Sequence, residues 1–165
     1  MPQNTAQLRS KVIERNASEF SDYQDLLIFG PPENDDLTYL NPKKVITLDY
    51  RVFKSHQSAL EGKIEYSLSI EDKAVYDAAL VFLPKSKGEL ELVLAYITPM
   101  LIKGADIFLV GEKKAGIASA CKKLDKYGTN NSKIDSAKHC QLWQVSLDDQ
   151  APVFSIDEWI ETFAV

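Results

Sequence analysis

Apolar residues along this chain fall into short continuous runs separated by stripes of helical period. Leu26–Phe29 is such a run, closed by Gly30-Pro31-Pro32, and predicts a strand entering a turn. Val45–Leu48 gives a second run ending at Asp49-Tyr50, and Ala78–Leu83 a third, stopped by Pro84. Ile64, Tyr66, Leu68 and Ile70 alternate with polar residues, as in a half-exposed strand. Ile107–Val110 reads as a strand buried on both faces, ended by Gly111, and Leu142–Leu147 alternates again.

Helical stripes lie between these runs. Leu8, Val12 and Ile13 mark a first helix with Thr5 as its N-cap. Leu90, Val93, Leu94, Ile97 and Leu101 form one apolar face, with Pro99 bending or tightening the last turn. A helix from about Ile117 to Tyr127 is expected to end at Gly128 as its C-cap. Trp159, Ile160 and Phe163 predict a short amphipathic helix near Val165. Alternating strands and helices imply an α/β fold: a mostly parallel sheet with helices on both faces. The later strands are close in sequence, so one antiparallel strand is expected near an edge.

At 165 residues the chain fits one domain with a sizeable core. Its net charge of −5 argues against nucleic-acid binding over the whole surface. The charge is uneven, however. Residues 103–139 hold eight lysines against four acids, although a lysine-rich face is most often a solvated helix surface. Two cysteines without a CxxC pair or a secretory signal suggest a reducing compartment, and a cytoplasmic protein is expected. No apolar run has the length of a membrane span.

Candidate chemistry is sparse. In doubly wound folds the first strand feeds a glycine-rich loop whose N–H groups face a nucleotide. Here the loop reads Gly30-Pro31-Pro32-Glu33-Asn34-Asp35-Asp36, with one glycine, two residues lacking N–H donors, and three acids that repel anions. Asp49 stands where such folds place a ribose-binding acid, yet an aspartate after a strand is more often a turn or cap residue. Pro84 and the lysines of Leu83-Pro84-Lys85-Ser86-Lys87-Gly88 stand where ligands meet many α/β folds. His56 and His139 have no carboxylate or cysteine at metal-ligand spacing, no metal site is expected, and Cys121 reads as a core residue rather than a nucleophile. No nucleophile elbow is present, so no catalytic residue is assigned.

Several strings carry a more specific signal. Asp106-Ile-Phe-Leu-Val-Gly-Glu112, Gly116-Ile-x-Ser119 and Lys133-Ile-Asp-Ser-Ala-Lys-x-Cys140 resemble the N-terminal domain of bacterial small-subunit ribosomal RNA guanine-N2 methyltransferases of the C type. Leu83–Lys87, Pro152–Phe154 and the first helix extend the likeness over nearly the whole chain. The resemblance implies a Rossmann-like class I methyltransferase fold with a degenerate cofactor site. It implies one methyltransferase-like domain, residues 1–165, with about 150–165 leading toward a catalytic domain that binds S-adenosylmethionine. In that catalytic domain an Asn-Pro-Pro-aromatic motif holds the guanine amino group. Here Leu83-Pro84-Lys85-Ser86 stands instead, without the polar acceptor or the stacking aromatic.

Gly30, Asp49 and Pro84 are then relics at best, and this domain is expected to bind no cofactor and to be inactive alone. The expected partners are the catalytic domain of the same protein and the 16S rRNA of the small ribosomal subunit, with no membrane. Lys113, Lys114, Lys122, Lys123, Lys126, Lys133 and Lys138 are candidate RNA or interdomain contacts. Two alternatives remain open: a small active S-adenosylmethionine-dependent methyltransferase with an atypical loop, and a pure protein–protein assembly module.

Overall fold

The computed structural model describes residues 11–33, 36–67, 72–137 and 139–147. Among these, seven strands form one sheet: β1 (Leu26–Phe29), β2 (Lys44–Thr47), β3 (Ile64–Tyr66), β4 (Tyr76–Phe82), β5 (Leu101–Glu112), β6 (Gly128–Ala137) and β7 (Cys140–Leu147). Their order is β3-β2-β1-β4-β5-β7-β6. The first five strands are mutually parallel, while β7 runs antiparallel to both β5 and β6. Helices are α1 (residues 11–15), α2 (Tyr50–His56), α3 (Lys87–Ile97) and α4 (Ile117–Lys122). The expected Thr5 cap, Leu8, Leu68, Ile70, residues 152–154 and the helix at Trp159, Ile160 and Phe163 lie outside the described residues.

Period-two alternation explains how the central strands serve two cores at once. Leu27, Phe29, Ile46, Ala79, Val81, Ile107 and Leu109 face Leu90, Val93, Leu94 and Ile97 of α3 and Ile117 and Cys121 of α4. The intervening residues Leu26, Ile28, Val45, Ala78, Leu80, Phe108 and Val110 meet Val12 and Ile13 of α1, with Phe20 and Leu60. Each Leu, Ile, Val or Phe among them contributes roughly 1.5–3 kcal/mol by leaving water. The continuous apolar runs in the sequence are thus the signature of strands covered on both sides.

Four expectations are corrected. The periodic face through Leu101 overruns α3: Pro99 forces a 3-10 turn over Thr98–Met100, and Leu101 opens β5. Gly111 does not end the strand, which continues through Glu112. A Cβ there would sit 2.7 Å from Cβ of Leu83, so its glycine allows β5 to pass close to the end of β4. The helix expected to reach Tyr127 is α4 followed by a 3-10 segment, Lys123–Lys126. Gly128 is no helix cap but the first residue of β6, where a Cβ would lie 1.7 Å from the Ser146 carbonyl oxygen.

β6 itself carries Asp135, which fastens α1 to the edge of the sheet. Its carboxylate accepts from Arg15 Nε at 2.9 Å, Arg15 Nη2 at 2.6 Å and Asn16 Nδ2 at 2.7 Å. The Asn16 amide, then Arg15, holds the Asp135 carboxyl below the usual carboxylate range. Solvent screens the share from Arg15, whose side chain is 60% exposed.

Asp135→Asn is expected to lower stability by about 1 kcal/mol, a drop of roughly 2–4 °C in melting midpoint. The stabilisation is complete above the unfolded carboxylate pKa of about 4 and is lost as pH falls through the lower folded value. Thermal melts below about pH 4 should therefore show a steeper acid limb for the wild type than for the variant. Parallel limbs would contradict the role given to Asp135.

Candidate functional site

The carboxyl ends of β1, β2 and β4 open into a cleft of about 560 Å³. Gly30, Asp49 and Pro84, far apart in sequence, all line it, together with Pro31, Pro32, Glu33, Arg51 and Lys85. This is the topological position at which open α/β sheets hold ligands. Several polar groups around it, those of Gly30, Pro32, Thr47 and Asp49, are engaged by the fold.

The N–H of Gly30 donates to the Ile46 carbonyl at 2.9 Å, which ties β1 to β2. Pro31 and Pro32 have no N–H to offer. The Pro32 carbonyl accepts from Nε2 of buried His56 at 2.9 Å, so a residue of α2 pins the loop from behind. Asp49 is the N-cap of α2, as a turn or cap reading predicts, and accepts from the Arg51 N–H at 2.9 Å. The Arg51 side chain, first, and its backbone N–H hold the Asp49 carboxyl below its ordinary range. Thr47 Oγ1 accepts from the Asp49 N–H at 3.1 Å and fixes the same turn. Sequence reasoning missed the His56 contact, because its partner is a backbone carbonyl on another element.

A carboxylate entering this cleft would meet Glu33 and two prolines on the β1 side, with Arg51 and Lys85 as the cations that line it.

Between Pro84-Lys85-Ser86 and Gly116, Ser119 and Lys123 lies a smaller recess of about 290 Å³. The lysines around this side of the sheet divide into two groups. Lys123 is paired with Glu91 at 2.8 Å and fastens the 3-10 segment after α4 to α3. Lys113, Lys114, Lys122 and Lys133 are exposed. Lys122 lies in the last turn of α4, where a cation also complements the helix dipole. Lys138 and the Lys126 side chain lie outside the described residues.

Residues 10–163 match the family model described as "Methyltransferase small domain N-terminal". The chain belongs to this family. It is 36% identical over 154 residues to the ribosomal RNA small subunit methyltransferase C of Aeromonas hydrophila subsp. hydrophila, covering 91% of this chain and 45% of the relative. It is 39% identical over 144 residues to the same-named protein of Pseudomonas putida strain KT2440, covering 87% and 42%. The chain thus spans less than half the length of these curated relatives.

Among solved structures, it is similar to the T. thermophilus 16S rRNA N2 G1207 methyltransferase (RsmC), solved with AdoMet and guanosine. That match has a TM-score of 0.67 at 12% identity and covers 90% of this chain and 40% of the other. It is also similar to an S-adenosylmethionine-dependent methyltransferase of Aquifex aeolicus, with a TM-score of 0.61 at 13% identity, covering 88% and 100%. These likenesses establish a Rossmann-like class I methyltransferase fold.

Both cysteines are buried. Burial, with a further push from Asp125, raises the Cys121 thiol to about 12, so it stays protonated and unreactive. A thiol-exchange reagent at pH 8 is expected to titrate neither cysteine in the native chain and both after denaturation. Rapid native modification of Cys121 would contradict its placement on the buried face of α4.

Proposed function

We propose that this chain is the non-catalytic N-terminal domain of an S-adenosylmethionine-dependent 16S rRNA (guanine-N2)-methyltransferase. It supports the catalytic domain and contacts rRNA. The observation that carries this reading is the cleft itself: it keeps the place of a cofactor site, yet Pro31 and Pro32 bring no N–H, the Gly30 N–H is given to Ile46, and Asp49 caps α2. The relatives' names supply the substrate class, and their length leaves room for a further domain. No step of methyl transfer is assigned to residues of this chain.

RNA contact belongs beyond β5, where Lys113 and Lys114 follow the strand and Lys122 and Lys133 stand on α4 and β6. Lys113, Lys114, Lys122 and Lys133 are exposed there, whereas the cleft is lined by Glu33, Asp49 and Glu89 beside Arg51 and Lys85. A backbone polyanion is attracted to the first region and gains little from the second.

Calorimetric titration with S-adenosylmethionine separates this reading from a small active methyltransferase, for which the open volume of the cleft speaks. No saturable heat is expected up to millimolar ligand, and micromolar binding would overturn the non-catalytic reading. Affinity for a 16S rRNA fragment is expected to fall steeply with added salt.

A further inference from the structure

Two turns that are distant in sequence are fastened together at the end of β5. The Lys113 N–H, at the start of the β5–α4 connection, donates to the His139 carbonyl at 2.7 Å. Glu112 pairs with Cys140 across β5 and β7, and Ala137 pairs with Cys140 across β6 and β7, so His139 sits in the tight turn between β6 and β7. His139 takes the left-handed conformation such a turn requires, with φ of 72°. Its side chain and those of Lys113 and Lys114 are exposed, and neither lysine forms an ion pair among the described residues. Of the acids on these strands, Asp135 is engaged by Arg15 and Asn16, and Glu112 directly precedes Lys113.

We propose that these two stapled turns form one phosphate-binding knuckle for RNA, built from Lys113, Lys114 and His139. The inference rests on the RNA-contacting reading of the domain and names the place of contact. The lysine ammoniums and an imidazole N–H supply donors, and the main-chain bond from Lys113 to His139 holds the two turns that carry them in register. A peptide partner is disfavoured, because protein interfaces bury apolar anchors at their centre. The exposed large apolar residues of the described chain, Tyr39, Leu48, Tyr50, Tyr66 and Ile102, lie on other elements or at the opposite end of β5. Phosphates need only the charge and donors present here.

The test measures binding of a fluorescent 16S rRNA fragment by anisotropy across a potassium chloride series. It compares the wild-type chain, Lys113→Gln/Lys114→Gln and His139→Asn, the last chosen because asparagine tolerates the left-handed turn. The double lysine variant is expected to weaken binding about tenfold near 0.1 M salt, with a salt slope shallower by roughly 1.5, the loss of about two phosphate contacts. His139→Asn is expected to weaken it by about threefold, without a change in melting temperature.

Salt-dependent wild-type binding that both variants leave unchanged would overturn the knuckle and leave the RNA reading standing. No salt-dependent wild-type binding would sink the RNA reading and the knuckle with it. Polyglutamate or inorganic phosphate competing as well as RNA at equal phosphate or carboxylate concentration would overturn the assignment to RNA.

Discussion

Strand β5 is the constraint on which the rest of this domain depends. It pairs parallel with β4 along one edge and antiparallel with β7 along the other. Ile107, Phe108, Leu109 and Val110 are fully buried between the two faces of the sheet. Every backbone group in that stretch therefore has to find its partner in a neighbouring strand, because water is excluded. Register is fixed in consequence, since a slip by one residue would exchange the residues facing α3 with those facing α1. Gly111 continues the strand past Leu83 at a distance that no larger residue tolerates. The connection beginning at Lys113 is thereby delivered to the His139 carbonyl.

The cleft illustrates how a fold can keep the shape of a site while using its polar groups for structure. Gly30 spends its N–H on the β1–β2 junction, Asp49 caps α2, and His56 holds the loop at Pro32. Each contact removes a donor or acceptor that a ligand would otherwise engage. Charge is divided in the same sense. Three acids line the cleft beside Arg51 and Lys85, while exposed lysines stand beyond β5 with no ion pair among the described residues, so the two regions favour different partners.

What was legible in the sequence follows from whether the causes were local. Leu26–Phe29 is both the apolar run and the strand, because burial on both faces leaves a composition no loop would have. Asp49 was readable as a cap, and Pro99 as the place where α3 tightens, since both act within a turn of their own position. β6 was missed. Its stretch from Gly128 to Lys133 is polar, it borders the sheet, and two register shifts interrupt its pairing with β7, so no period of two survives. Gly128 misled for a related reason: glycine after a helix suggests a cap, whereas here it answers a close approach to Ser146 from another strand. The Lys133–Cys140 string identified the family without revealing its role. Asp135 binds α1 and Cys140 fills the core, which are tertiary facts that spacing does not encode.

The most direct test is a nitrogen-15 amide correlation spectrum of the chain titrated with a 16S rRNA fragment. The account predicts shift changes concentrated at residues 112–116 and 139–141, with Gly30, Asp49 and Leu83 unmoved. Changes concentrated around the cleft at residues 29–33 and 47–51, with the β5–β7 end silent, would contradict it.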